Sequence, residues 1–317
     1  MRLLILQTSP TLGSLAQNLQ GATNLLQSVP SGRPSPDLII LPELAFTGYN
    51  FRSPEQIAPY IETREKSPSK EWAERVARDW GCSVLVGMPL RNERGMVQNT
   101  AMVVDRKGEV LSQFAKVHMY ETDYRWGCSP GPGFSSFEFP IYHCEPSKTT
   151  PERNRIKGTP HLNDIPIHHS PTTNSSTDKS NAINNESRTI TTSIGICMDL
   201  NPKDFLNPKA YEFPNYILSY PSISLILLPM AWLRNSSSPD STSSGPGQMT
   251  LEYWIKRLDP LIWAQRRRWV VICNRTGEEE GACYAGTSCV LRVGRGEVIV
   301  KGVLGREEGY LEVEIDL

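Results

Sequence analysis

Short apolar runs, each stopped by a proline, a glycine or a polar turn, constrain this chain more than any other feature. Leu3-Leu4-Ile5-Leu6 opens the series as a buried strand, and Leu38-Ile39-Ile40-Leu41 ends at Pro42. Between them Leu15, Leu19, Ala22 and Leu26 recur at helical spacing. Residues 71–80 read as a helix with Trp72, Val76 and Trp80 toward the core, closed by Gly81, and residues 83–87 as a third strand. Strand–helix alternation of this kind predicts layered α/β architecture. Residues 99–105 and 109–114 flank Arg106-Lys107-Gly108 as a hairpin. Further strands are expected at 190–196, 222–228 and 270–274 and around Val290, Val298 and Leu311. One helix is expected to carry Tyr253, Ile255, Leu258 and Ile262, and no internal repeat is visible.

Two segments break the rhythm. Residues 145–188 are rich in Ser, Thr, Asn and Pro and have too few large apolar side chains to offset chain entropy. They read as a disordered insertion into a single domain spanning 1–317, and residues 235–247 as a shorter, Ser-rich loop insertion.

The formal net charge of −1 supplies no electrostatic reason for a nucleic-acid or acidic-membrane partner. Arg266-Arg267-Arg268 is read as a solvated helix face. Seven cysteines without C-x-x-C spacing argue against a disulfide framework or a zinc site, and the five histidines lack ligand spacing. The opening apolar run is too short for a signal peptide and no segment approaches a membrane span, so the expected location is cytoplasmic.

Three residues at strand ends carry chemistry together more convincingly than singly. Glu43 follows a buried strand at the sheet edge where α/β proteins place their sites, although a carboxylate there also serves as a helix cap. Lys116 ends the hairpin's second strand and precedes Tyr120-Glu121-Thr122-Asp123-Tyr124-Arg125-Trp126, a cluster suited to a pocket-building loop. Cys197 ends a β-branched strand as a nucleophile elbow would, and the other six cysteines lack that context. A thiol needs a base to react at neutral pH, and no histidine is placed to pair with Cys197. A carboxylate with a raised pKa serves as base, and an ammonium holds an oxyanion.

Leu41-Pro42-Glu43, Lys116-Val117-His118 and Gly195-Ile196-Cys197-Met198-Asp199 resemble the Glu–Lys–Cys motifs of the nitrilase, or carbon–nitrogen hydrolase, superfamily. The resemblance covers nearly the whole chain outside the two insertions. Within the superfamily the chain is most similar to fungal protein N-terminal amidases. That similarity rests on Glu43 to Phe51, Tyr120-Glu121-Thr122-Asp123 with Trp126-Gly127-Cys128, Cys197-Met198-Asp199-Leu200-Asn201-Pro202, Pro229-Met230-Ala231-Trp232 and Asn274-Arg275-Thr276-Gly277-Glu278-Glu279. It implies a four-layer α-β-β-α sandwich, without metal or organic cofactor. It also implies deamidation of N-terminal Asn and Gln of proteins or peptides, releasing ammonia and feeding N-degron degradation. By the same resemblance Cys197 is the nucleophile, Glu43 moves the protons, Lys116 and the Met198 N–H hold the oxyanion, and Glu121 is the superfamily's additional glutamate. An N-terminal substrate further requires an anion for its α-ammonium, with Asp123 and Asp199 as candidates. Asp199 equally fits a carboxylate bonding turn N–H groups. Tyr49, Tyr124, Trp126 and Trp232 are candidate pocket walls or core. The competing readings are an amidase for a small free amide, carbamoyl compound or nitrile, and a non-catalytic binding scaffold. Oligomeric state is not legible.

Overall fold

The computed structural model describes residues 1–141, 188–234 and 245–317. Its first half runs β1 (Arg2–Gln7), α1 (Leu15–Gln27), β2 (Leu38–Ile40), α2 (Pro54–Ile57), α3 (Pro68–Trp80), β3 (Ser83–Arg91), β4 (Val97–Val104), β5 (Val110–Ala115) and α4 (Glu121–Arg125). The second half runs β6 (Ser136–Ile141), β7 (Arg188–Ile194), α5 (Glu212–Ser219), β8 (Leu225–Met230), α6 (Gln248–Arg257), α7 (Asp259–Ile262) and β9 (Arg268–Asn274). It closes with the two-residue strands β10 (Glu278–Glu279) and β11 (Ala282–Cys283), then β12 (Cys289–Gly294), β13 (Glu297–Val303) and β14 (Gly309–Glu314).

Two six-stranded sheets form, ordered β14-β1-β2-β3-β4-β5 and β13-β12-β9-β8-β7-β6. Both have the same strand sense. β1, β2 and β3 are parallel, as are β7, β8 and β9; each trio is flanked by one antiparallel strand on one side, and on the other by an antiparallel strand followed by one that runs with the trio again. The sequence shows no repeat, yet the topology repeats. The inner faces of the sheets pack together through Leu3, Ile5, Leu38, Ile40 and Val103 against Ile194, Leu225, Leu227 and Val271. Outside the first sheet Leu4, Ile39 and Val84 pack against Ala22 and Leu26 of α1 and Trp72 and Val76 of α3. The architecture is the expected α-β-β-α sandwich. Its parallel strands are apolar on both faces because both faces are covered, which explains continuous apolar runs in place of alternation.

Local expectations change where a proline or a turn intervenes. The helix expected across Tyr253 to Ile262 is two helices, α6 and α7, meeting at Leu258; Pro260 lacks the N–H that a continuous helix needs. Arg266-Arg267-Arg268 is not a helix face: it leads into β9, where Arg268 is buried and donates to the Arg266 carbonyl oxygen at 3.2 Å. The insertion assigned to 145–188 lies outside the described residues except for Arg188, which opens β7 opposite Ile141. Of 235–247, only 245–247 are described, and the Gly247 N–H donates to Thr287 Oγ1 at 2.8 Å as α6 begins. Among the described residues no helix is long and apolar enough to cross a membrane.

Candidate active site

The carboxyl ends of the parallel strands in both sheets converge on one buried cluster, the location expected for an α/β site. Glu43 lies three residues beyond β2, Cys197 three beyond β7, and Ala231 directly after β8. Lys116 follows β5, which two antiparallel reversals have returned to the direction of β3. Its C-terminal end therefore meets the same edge.

Glu43 has no solvent exposure. Its Oε1 accepts from Lys116 Nζ and from Asn99 Nδ2, both at 2.7 Å, and its Oε2 from the Ala231 N–H at 2.7 Å. Gly87 makes this approach possible, because a Cβ there would stand 2.6 Å from the Pro42 carbonyl oxygen and 2.8 Å from Glu43 Cα. Burial raises the Glu43 carboxyl above its usual value. Lys116 opposes that rise and Asp123 reinforces it. A base so tuned holds a proton that an exposed carboxylate would release.

Lys116 is fully buried, with Nζ also 2.7 Å from Asp123 Oδ2. Burial disfavours its charge, but Asp123 and Glu43 outweigh that and hold it as an ammonium. Its Nζ lies 5.3 Å from the centroid of the Tyr49 ring. The phenol is buried, and its hydroxyl has no hydrogen-bond partner among the described residues.

Cys197 stands at a sharp turn. Its φ of 45° lies in the left-handed region, costly for a side chain with a Cβ, and a single 3₁₀ turn over Cys197–Leu200 follows. This is the strand-to-helix elbow expected from sequence. Asp199 holds it: Oδ2 accepts from the Ile196 N–H at 2.8 Å, and Oδ1 from the Val117 and His118 N–H groups at 3.0 and 2.7 Å. One carboxylate thus ties the Cys197 turn to the chain beyond Lys116. Burial pushes it up to about 6, against those N–H donors. The Cys197 thiol, 8% exposed, is pushed well above the usual thiol range by burial and by Glu43, with Lys116 and the Ala231 N–H opposing. At rest it keeps its proton.

The sequence candidates divide. The structure brings Glu43 and Lys116 into direct contact and places Cys197 near enough for both to act on it electrostatically. Glu121 does not join them: its side chain is 68% exposed and pairs with Arg125 one turn along α4. Asp123, two residues on, turns inward instead. Its Oδ2 also accepts from the Tyr120 N–H at 2.8 Å, and its Oδ1 from Asn99 Nδ2 at 3.2 Å. Asp123 and Asp199 are buried and each accepts from three protein groups, so both orient neighbouring parts of the site. Trp126 is core, packed with Leu44, Phe51, Ile57 and Met119. Trp232 is half-buried against Tyr253 and Trp254, and Tyr124 is exposed with its hydroxyl donating to Asp204 Oδ1 at 3.4 Å. Met198 follows Cys197 with its side chain buried.

Sequence reasoning missed Asn99, whose amide bridges Glu43 and Asp123. The available signal was an amide in β4 on the same face as Ala101 and Val103, both inter-sheet core. Among the described residues no group of three His, Cys, Asp or Glu side chains is arranged to hold a metal ion.

The carbon-nitrogen hydrolase family profile matches residues 3–141. The protein N-terminal amidase of Schizosaccharomyces pombe is 30% identical over 323 residues, covering 97% of this chain and 96% of that protein. The protein N-terminal amidase of Saccharomyces cerevisiae is 29% identical over 244 residues, which span 76% of this chain and 46% of that longer protein. Crystal structures of an N-terminal amidase with a Gln-Val peptide and with an Asn-Glu-Ala peptide superpose with TM-scores of 0.80 and 0.79, at 19% and 20% identity, over 100% of this chain and 99% of theirs.

Proposed function

The chain belongs to the carbon–nitrogen hydrolase family and stands with its protein N-terminal amidases, and from that membership we propose how its buried cluster performs amide hydrolysis. The enzyme is a hydrolase of non-peptide carbon–nitrogen bonds that deamidates N-terminal Asn and Gln to Asp and Glu. The observation that carries the mechanism is the fully buried Glu43–Lys116 pair, 2.7 Å apart, at the strand edge where the Cys197 elbow arrives.

Glu43 takes the Cys197 proton as sulfur attacks the side-chain amide carbon. The raised thiol makes this transfer necessary, and the raised carboxyl makes Glu43 a competent acceptor. The carbonyl oxygen becomes an oxyanion held by the Lys116 ammonium and the Met198 N–H, donors already fixed before reaction. Asp123 keeps Lys116 charged and pointed. Collapse breaks the carbon–nitrogen bond, Glu43 returns the proton to the departing nitrogen, and ammonia leaves a thioester on Cys197. Water, deprotonated by Glu43, then attacks the thioester and releases the carboxylate product with Cys197 as thiol. No step draws on a cofactor. The product begins with an acidic residue and enters N-degron degradation.

The test is ammonia release from peptides beginning with Asn or Gln, free and acetylated, beside a peptide with internal Asn, free glutamine and a simple nitrile. Turnover confined to free N-terminal Asn or Gln is expected. Equal turnover of the acetylated or internal-Asn peptides refutes N-terminal specificity. Turnover of free glutamine alone selects a small-amide enzyme, and a Cys197 that never acquires an acyl group by mass spectrometry selects a binding scaffold.

A further inference from the structure

A separate buried ion pair lies beside the Glu43–Lys116–Asp123 cluster and takes no part in the steps above. Arg275 and Glu279 are both buried and pair across one turn of chain between β9 and β11. The guanidinium stacks 3.9 Å from the centroid of the Tyr284 ring and donates from Nη2 to the Pro10 carbonyl oxygen at 2.8 Å. Glu279 faces the other way. Its Oε2 accepts from the Tyr49 N–H at 3.0 Å, the Asn50 N–H at 3.1 Å and the Tyr284 hydroxyl at 3.0 Å. A buried ion pair is a weak source of stability compared with apolar packing of the same volume. What this one does geometrically is grip two consecutive amides of one loop.

That loop runs from Glu43 to Asn50 and is not in a default conformation. Leu44 has φ 45° and Gly48 has φ 79°. At Gly48 the conformation and the crowding coincide, since a Cβ would stand 2.4 Å from Glu279 Oε1. One end of the loop presents the Glu43 carboxylate and the other presents Tyr49. The Tyr49 ring lies against Lys116 Nζ, its hydroxyl is buried without a partner among the described residues, and Glu43, Asp123 and Cys197 all act on it electrostatically. A buried hydroxyl without a partner costs free energy unless something binds it. The substrate amide is the polar group that reaction brings there.

We propose that Glu279, braced by Arg275, is a positioning residue: by accepting from the Tyr49 and Asn50 N–H groups it fixes the loop so that the Tyr49 hydroxyl donates to the amide group undergoing attack beside Lys116. The proposal rests on the amidase reading of this site. It also accounts for why an ionic group is retained in a region otherwise packed by Leu44, Phe51, Trp126 and Tyr284.

The experiment is a kinetic double-mutant cycle. Glu279→Asp keeps a carboxylate for Arg275 but withdraws it by one methylene from the Tyr49 and Asn50 amides. Tyr49→Phe removes only the hydroxyl. Each single variant is expected to lower kcat/KM per titratable Cys197 by about tenfold, the effect of one transition-state hydrogen bond. In the Tyr49→Phe background Glu279→Asp should then cost less than about threefold, because its route to the reaction is gone. Losses that multiply overturn the proposal. So does a Glu279→Asp variant that lowers the melting temperature while kcat/KM per active site stays at the wild-type value. Should Glu279→Asp not fold, Glu279→Gln, which keeps the length and one acceptor oxygen, is read in the same cycle. Wild-type enzyme inactive on both Asn- and Gln-initiated peptides would overturn the amidase reading alone. The cycle is then read from the rate of Cys197 alkylation by iodoacetamide, a small primary amide that must occupy the same cavity, with the same non-additivity expected.

Discussion

Replacing Asp123 by Asn should shift the acid limb of the pH–rate profile downward. Both Glu43 Oε1 and Asp123 Oδ2 lie 2.7 Å from the same Lys116 nitrogen, so the two oxygens are within twice that distance of each other. Two unit charges about 5 Å apart repel by about 3 kcal/mol at an effective dielectric of about 20. Removing one of them lowers the Glu43 pKa, because the Asp123 charge is one of the influences that raise it. The second consequence has the same sign: Lys116, no longer shared, is left to Glu43 alone and favours its ionised form. A weaker base takes the Cys197 proton less readily, so kcat should fall by about tenfold. Stability should fall by less than the roughly 3–5 kcal/mol expected when a buried charge is stripped of its partner, because Lys116 retains Glu43. The assay is kcat/KM for ammonia release from an Asn-initiated peptide between about pH 4 and 9. Glu121→Gln is the control, since that side chain is 68% exposed and already paired with Arg125, and the limb should stay in place. An acid limb that is unmoved in Asp123→Asn, or that moves upward, refutes the account of how Glu43 is tuned.

Three further outcomes are expected. Cys197→Ala should abolish turnover without lowering the melting temperature, and activity retained within about tenfold, a barrier change near 1.4 kcal/mol, would remove Cys197 as nucleophile. Gly87→Ala should cost about 1–3 kcal/mol of stability and displace Glu43, because the new Cβ meets Pro42 and Glu43 backbone at 2.6–2.8 Å; a variant with wild-type kcat and melting temperature would contradict that crowding. Acidification should separate activity from stability. Glu43 and Asp199, the latter near 6, have carboxyls raised by burial, so their contribution to stability is fully present below the ordinary carboxylate value and is lost as pH rises through the raised values. Activity needs Glu43 ionised and runs the other way. As pH falls from about 7 to about 5, kcat/KM should drop while these two groups add stability, and melting temperature falling in step with activity would count against the shifts.

Much of the fold and the central three residues were legible in one dimension, for identifiable reasons. Apolar runs ended by Pro42 or a polar turn mark strands packed in the core, and parallel strands put their carboxyl ends on one edge. Glu43 and Cys197 follow strands of the two parallel trios, and Lys116 follows β5, which two reversals bring back to the same direction, so the three strand ends share one edge. What stayed hidden depends on direction and on partners distant along the chain. Glu121 and Asp123 are two residues apart, and in the one-turn helix α4 that spacing sends them to opposite sides, the first to solvent and the second to Lys116. The helix expected through Ile262 could not reveal that Leu258 is its break, although Pro260 supplied the reason. Asn99, the Ala231 N–H and Glu279 reach the site across 56, 188 and about 230 residues of chain, a pairing that no local pattern encodes. The repeated strand order of the two sheets is equally invisible, because burial requires apolar character and not identical side chains. The amino-acid sequence by itself determined which groups could act, since only certain residue types move protons, attack carbonyl carbon or hold an oxyanion. Only the tertiary structure decided which of them are buried, charged and aimed at one another, because desolvation and hydrogen-bond geometry are properties of the packed sheets and not of any segment.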